Sequence, residues 1–196
     1  MKYKPFVFVA ALLPLAWIAW LVASNHLGPD PAVKLSHVTG EWAIRFLLLT
    51  LLTSSLSRAH EKLRFLLQVR RMLGLYAFFY AMIHILVFVA MYLGFDTSLL
   101  LSEIKKRPYI LVGMLAWLLM LPLAVTSNQA MIKRLGGKNW KRLHRLIYIA
   151  LLLVLAHVIW QVRSSWFDAV LYTACALVLF MERLRLLSGG QKKVIH

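Results

Sequence analysis

The feature of this 196-residue sequence that most limits its fold is a series of six long apolar runs separated by short basic segments. A helix that crosses the roughly 30 Å hydrocarbon layer of a membrane needs about 20 apolar residues. The runs cover residues 6–24, 42–57, 72–93, 109–126, 143–161 and 167–187. We therefore predict an all-α membrane protein, in which residues 1–196 form a single domain that is a six-transmembrane-helix bundle.

The first run also has features of a secretory signal peptide, because Lys2 and Lys4 precede it and residues 22–24 resemble a cleavage site. However, its apolar stretch is longer than the roughly 7–15 residues of a signal core. Trp17 and Trp20 lie near its outer end, as interfacial anchors do. We expect this run to be retained as the first transmembrane helix.

The distribution of charge predicts the orientation of the bundle. With the N-terminus inside, the cytoplasmic segments hold 17 of the 23 basic residues, and the outer segments hold five of the seven acidic ones. The six outer basic residues are Lys34, Arg45, Lys105, Lys106, Arg107 and Arg163. Because cytoplasmic loops of membrane proteins are enriched in Lys and Arg, both termini are predicted to be cytoplasmic.

Composition excludes several classes of function. The 23 basic residues lie in clusters between apolar runs and not on one soluble face, which argues against a nucleic-acid partner and agrees with anionic lipid. The single cysteine, Cys175, excludes disulfide frameworks and Cys-x-x-Cys redox centres. No loop exceeds about 17 residues, which leaves no space for a nucleotide-binding, flavin or ATPase domain within these residues.

Two histidines lie inside the predicted spans, where ionisable side chains are costly and are by default functional candidates. His84 is in the third span and His157 is in the fifth, each about 13 residues beyond the inner end of its span. Their depths therefore match, as two axial ligands of one haem iron require, and a b-type haem needs no covalent attachment motif. Histidines that serve helix packing or proton transfer are the alternative.

Small residues accompany His84 on one side of the third helix. Gly74, Ala77 and Ala81 precede it by ten, seven and three residues, and Ala150 precedes His157 by seven. These residues leave space for the edge of a flat cofactor, or they allow neighbouring helices to pack closely.

His144 is the third candidate, 13 residues before His157 and therefore roughly 20 Å away along a helix. This separation suits two stacked haems. However, 13 residues leave the two side chains roughly 140° apart around a straight helix, so both face one neighbour only if the helix is distorted. An ordinary basic interfacial residue is the alternative. His26, His37 and His60 are expected in loops, and Glu41 and Arg45 are expected to form an ion pair on a helix surface.

Several strings of the sequence are similar to the MsrQ (YedZ) family of haem-binding membrane subunits of periplasmic methionine sulfoxide reductase systems, within the ferric-reductase-like transmembrane group. The strings begin at His37-Val38-Thr39-Gly40, Arg70-Arg71-Met72-Leu73-Gly74, Arg107-Pro108-Tyr109-Ile110, Thr126-Ser127-Asn128-Gln129 and Leu143-His144-Arg145. The resemblance covers nearly the whole chain.

The resemblance implies b-type haem, one or two per chain, bound by His84, His157 and His144. It also implies electron delivery to a periplasmic molybdopterin-containing methionine sulfoxide reductase from the bacterial inner membrane. The oxidase relatives have a second histidine where this chain has Arg70. Arg70 and Arg71 are therefore expected to pair with haem propionates or with a flavin phosphate, since FMN and the quinone pool are linked to the family.

The predicted function is a haem b electron-transfer subunit whose donor is quinol or a cytosolic flavin reductase, with the sulfoxide chemistry on a partner chain. One alternative is a ferric reductase or a quinol-oxidising cytochrome with another acceptor. Another is a cofactor-free small transporter or scaffold.

Overall fold

The structure, a computed structural model, describes residues 3–162 and 166–191, with side chains through residue 185. The α-helices of these two ranges are α1 (Lys4–Ala23), α2 (Pro31–Ala59), α3 (Leu67–Met91), α4 (Leu100–Lys106), α5 (Tyr109–Val125), α6 (Gln129–Leu135), α7 (Gly137–Leu143), α8 (Leu146–Gln161) and α9 (Phe167–Gln191). Short 3₁₀ turns cover Glu61–Leu66 and Thr97–Leu99, and no strand is present in the described ranges. Lys2, Arg163, Lys192 and Lys193, which entered the charge distribution, lie outside them.

Among the residues that the structure describes, three helical segments are long and apolar enough to cross a membrane: Lys4–Ala23, Glu61–Met91 and Gly137–Gln161. The pair Thr97–Lys106 and Tyr109–Val125, bent by 119°, is a fourth if it forms one broken span. The prediction of an all-α membrane protein is therefore confirmed for the described residues. The six predicted runs fall on α1, α2, α3, α5, α8 and α9. Helices α2 and α9 are long enough to cross a membrane, but their composition is too polar for them to count among these candidate spans.

Helix α2 starts eleven residues before the predicted run at 42–57. The Asp30 side chain caps it by accepting a hydrogen bond from the Val33 amide at 3.0 Å, and Pro31 suits the first helical position. His37 consequently lies on a helix and not in a loop, as an exposed side chain. The extension also carries Ser36 and Thr39 into the bundle.

Helix α1 is attached to α3 by tyrosine hydroxyls. Pro14 lies inside α1, where a proline cannot donate a backbone hydrogen bond and distorts the helix. The Tyr80 hydroxyl donates to the Ala11 carbonyl at 2.8 Å and accepts from the Leu15 amide at 3.1 Å. Tyr76 donates to the Phe8 carbonyl in the same way at 3.1 Å. The fully buried Tyr80 thus satisfies backbone groups beside the distortion.

Polar side chains attach α9 to α2 at both ends. Near the start of α9, Arg45 donates to Tyr172 at 3.0 Å and to Glu41 at 2.9 Å, which confirms the predicted Glu41–Arg45 ion pair. Near the other end the Glu182 carboxylate accepts from the Ser55 hydroxyl and from the Arg58 guanidinium. These contacts explain why α2 and α9 carry charges that a lipid-facing helix would avoid.

Two helix pairs dominate the packing of the bundle, α2 with α3 and α5 with α8. In contrast, α3 and α8 make almost no backbone contact with each other, although they carry the two candidate histidines. The outer surfaces are rich in exposed apolar side chains, among them Phe6, Leu13, Val170 and Leu177. An apolar surface of this extent is expected where the surrounding solvent is lipid.

Candidate cofactor-binding site

His84 on α3 and His157 on α8 face each other across the space between these helices. The centres of their imidazole rings are 6.2 Å apart, and the ring planes are nearly perpendicular at 83°. The predicted common depth of the two side chains is thus confirmed. Two imidazoles on opposite sides of one metal ion have ring centres roughly 6 Å apart, because a metal–nitrogen bond is about 2 Å long.

The orientation of His84 is determined by α2. Its Nδ1 lies 2.9 Å from the Ser36 carbonyl oxygen, to which it donates, and 3.3 Å from the Thr39 hydroxyl oxygen. A histidine whose Nδ1–H is bound to a carbonyl presents the lone pair of Nε2 as its free ligand atom. The Nε2 atom of His84 makes no hydrogen bond to any residue in the described part of the chain.

His157 is oriented in the same manner by α5. Its Nδ1 donates to the Tyr109 carbonyl oxygen at 2.7 Å, at the first residue of that helix. Within residues 3–162 and 166–191 its Nε2 also has no hydrogen-bond partner. Both imidazoles therefore have the tautomer and the free nitrogen that a metal ligand needs.

A glycine four residues after each acceptor carbonyl allows the histidine ring to lie close to the neighbouring helix. A Cβ added to Gly113 would lie 2.8 Å from Nδ1 of His157, and one added to Gly40 would lie 3.3 Å from Nδ1 of His84. Contacts below 3.0 Å force a displacement, so the position of the His157 ring depends on a glycine at residue 113. In a helix the side chain at i+4 lies over the carbonyl of residue i, which is why the same residue type serves both histidines.

A pair of imidazoles suits a cofactor that brings further ligands of its own. His, Cys, Asp and Glu side chains form no group of three suited to a metal ion in the described part of the chain. Haem supplies four equatorial nitrogens and takes two axial ligands. In the described ranges, Ser36 Oγ and the Nε1 atoms of Trp42 and Trp117 are buried without a protein partner. All three lie on α2 and α5, the helices that orient the histidines.

The small residues before His84 pack against α2. A Cβ added to Gly74 would meet the Thr50 side chain of α2 at 3.4 Å, and Ala77 is fully buried in the core of the bundle. Of the two roles predicted for these residues, the structure supports close helix packing at Gly74.

His144 is placed away from this pair, at a break in the helix. It follows α7, and α8 begins two residues later, which provides the distortion that its angular separation from His157 requires. Its Nε2 lies 3.1 Å from the Thr126 hydroxyl, and its ring is stacked on Trp140 at 3.9 Å. The Trp140 indole in turn donates to the Thr126 carbonyl at 2.9 Å. Unlike the other two rings, His144 has its Nε2 engaged.

Arg70 and Arg71 lie near His144, close enough for both guanidinium charges to act on its ring. Arg70 is half-buried and donates to the Ser54 hydroxyl at 3.1 Å, and Arg71 is exposed. No carboxylate forms a salt bridge with either residue in the described part of the chain. The structure thus brings Arg70, Arg71 and His144 together as one basic cluster.

The residues that sequence reasoning missed are those that orient the histidines. Ser36 and Tyr109 act through backbone carbonyls, Thr39 acts through its hydroxyl, and Gly40 and Gly113 act by lacking a side chain. The available signal was the location of Thr39, Gly40 and Tyr109 inside strings of the family resemblance. These strings contact His84 and His157, just as the string starting at Thr126 contacts His144.

Comparison with known proteins agrees with this geometry. Residues 39–155 match the family described as "Ferric reductase like transmembrane component", a stretch that holds more than half of the chain and ends two residues before His157. Together with the apolar helices, this match defines the class: a multi-pass membrane protein of the ferric-reductase-like type.

Relatives that align over most of the chain identify the family within this class. A protein of Xanthomonas oryzae pv. oryzae, named protein-methionine-sulfoxide reductase heme-binding subunit MsrQ, is 45% identical over 183 residues, covering 90% of this chain and 83% of the relative. Proteins with the same name from Herminiimonas arsenicoxydans and Klebsiella pneumoniae are each 38% identical over 183 residues. The alignments cover 92% and 93% of this chain and 84% and 91% of those relatives. The chain belongs to the MsrQ family.

Proposed function

We propose that this protein is the haem b electron-transfer subunit of a methionine sulfoxide reductase system, with His84 and His157 as the axial ligands of the haem iron. The observation that carries the proposal is the pair of facing imidazoles, each with Nδ1 bound to a backbone carbonyl and with Nε2 free. The relatives, at 37–45% identity, are named heme-binding subunits of this reductase.

When bound, haem supplies reversible one-electron chemistry at the iron. His84 and His157 would hold the haem iron from both sides, which would favour electron transfer over oxygen binding. Ser36 and Tyr109 keep the two rings in the required tautomer, and Gly40 and Gly113 allow them to approach the helices. The surrounding apolar helices exclude water, which prevents loss of electrons to solvent species.

The acceptor in this proposal is a periplasmic molybdopterin-containing reductase, where the sulfoxide is reduced to a thioether and water. That reaction consumes two electrons and two protons. Because haem iron exchanges one electron at a time, the subunit must deliver electrons twice for each sulfoxide that is reduced. The donor is the quinone pool or a cytosolic flavin reductase. In the proposed topology α1, α2, α3, α5, α8 and α9 cross the bacterial inner membrane with both termini in the cytoplasm, as the basic segments favour. An alkaline phosphatase reporter fused after residue 196 should then be inactive, and an active fusion would contradict this topology.

The basic cluster of Arg70, Arg71 and His144 is the proposed inner site. Two guanidinium groups without a carboxylate partner suit an anionic group, either the propionates of a second haem or the phosphate of FMN. If a second haem binds here, His144 is its ligand and must exchange its contact with Thr126 for the iron.

The proposed function is tested by reoxidation of the reduced protein. We expect the purified protein to show a haem b spectrum in the pyridine haemochrome assay. After chemical reduction and removal of excess reductant under anaerobic conditions, its haem should be fully reoxidised only when both a substoichiometric amount of the periplasmic molybdenum reductase and a methionine sulfoxide substrate are added. Omitting either one is the control. Equally fast reoxidation by ferric chelates without the partner would favour a ferric reductase instead.

The role of His144 is tested by the ratio of haem to protein. If the inner site binds haem, His144→Ala is expected to lower the ratio from two to one while the remaining spectrum stays six-coordinate. Trp140→Phe keeps the stacked ring beside His144 and is the matched control. A ratio of one in the unmodified protein that does not change in His144→Ala would exclude His144 as a haem ligand.

A further inference from the structure

Thr39 is a fully buried hydroxyl beside His84, and the geometry shows where its proton goes. Its side chain is 0% exposed. The Oγ1 atom lies 2.7 Å from the Leu35 carbonyl oxygen, 3.2 Å from the Ser36 carbonyl oxygen and 3.3 Å from His84 Nδ1. A hydroxyl has one proton to donate, and the short contact commits it to Leu35. The oxygen lone pairs of Thr39 are therefore left to face His84 Nδ1–H.

The two histidines consequently have unequal surroundings. His84 Nδ1–H has two acceptors, the Ser36 carbonyl and the Thr39 hydroxyl. His157 Nδ1–H has one acceptor in the described part of the chain, the Tyr109 carbonyl. Thr39 supplies the additional acceptor, since a carbonyl and a glycine four residues later are present on both sides.

This asymmetry has a chemical consequence for a metal ligand. Acceptors on Nδ1–H make the opposite nitrogen more basic, and a more basic axial ligand stabilises the oxidised iron over the reduced iron. An acceptor added at His84 therefore lowers the reduction potential of a metal bound to Nε2.

We propose that Thr39 is a positioning residue that lowers the midpoint potential of the haem by accepting a hydrogen bond from His84. This inference rests on the proposed function, because it needs His84 as an axial ligand. It assigns to one hydroxyl the setting of the potential at which electrons leave for the partner.

The test is a redox titration of the purified, haem-loaded protein, followed by absorption. Thr39→Val removes the hydroxyl and is expected to raise the midpoint potential while the spectrum stays six-coordinate. Thr39→Ser keeps the hydroxyl and is expected to restore the original potential. Thr173→Val is the matched control, because Thr173 makes the same type of bond to the carbonyl four residues earlier, at 2.7 Å, on α9. Its potential should not change.

The outcomes separate the inference from the function on which it rests. A six-coordinate haem whose potential is the same in the unmodified protein and in Thr39→Val would overturn the role of Thr39 alone. Loss of haem from both Thr39 variants would also overturn it, since Thr39 would then only fill space. Loss in Thr39→Val with full haem and an unchanged potential in Thr39→Ser would support the need for the hydroxyl. A purified protein without haem overturns both proposals.

Discussion

Replacing either His84 or His157 with alanine is expected to abolish the six-coordinate spectrum of the haem between them and to lower the occupancy of that site to below about a tenth. The reason is that each imidazole occupies one side of the same site, with ring centres 6.2 Å apart. The haem that remains bound in either variant should be five-coordinate. Pyridine haemochrome analysis and absorption spectra of purified variants measure both effects.

The control for this pair is His60→Ala, because His60 is exposed at the end of α2 and contacts neither ring. Its spectrum and haem content should match those of the unmodified protein. A normal six-coordinate spectrum in His84→Ala or in His157→Ala would reject that residue as an axial ligand. Equal loss in all three variants would show instead that the substitutions damage folding.

Gly113→Ala is expected to weaken haem binding by about 10- to 100-fold, the range typical of residues that orient a metal ligand. Alanine favours a helix over glycine by about 1 kcal/mol, so the substitution should stabilise α5 itself. The added Cβ, however, would lie 2.8 Å from Nδ1 and 2.9 Å from Cε1 of the His157 ring. The ring must then move away from the Tyr109 carbonyl, at a cost of about 1–3 kcal/mol for overpacking.

The other glycines provide a graded comparison. Gly40→Ala, with its closest contact at 3.3 Å, should cause a smaller loss than Gly113→Ala. Gly137→Ala is the control, because nothing lies within 4 Å of an added Cβ at the start of α7. Titration of haem into the haem-free variants measures their haem affinities and hence the order of these losses. A loss in Gly40→Ala that equals or exceeds the loss in Gly113→Ala would contradict the steric argument.

Much of the fold and part of the site could be predicted from sequence, because hydropathy and residue counting report depth in a membrane. Counting residues from the predicted inner ends of the third and fifth runs was sufficient to predict that His84 and His157 lie at the same depth. Periodicity also placed Gly74 and His84 on one face of α3. It could not say which neighbour covers that face, and the structure assigns α2, through Thr50 and Gly40.

The orientation of the histidines could not be predicted, for a physical reason. Every residue has a carbonyl group, so the acceptors at Ser36 and Tyr109 have no signature in the side-chain sequence. The first eleven residues of α2 were missed because they include polar side chains, and hydropathy detects only apolar runs. Likewise, no proline or glycine marks the break at His144, which lies between two helical segments of basic and apolar residues.

The weak contact between α3 and α8 has a consequence for how the holoprotein is assembled. Each histidine is oriented by the helix paired with its own, His84 by α2 and His157 by α5, so each pair is a complete half-site before the two meet. Because α3 also packs on α5, and α9 packs on both α2 and α8, we expect the two half-sites to be held beside each other in the haem-free protein. Haem insertion would then be the final step in maturation of the subunit, after the chain has entered the membrane.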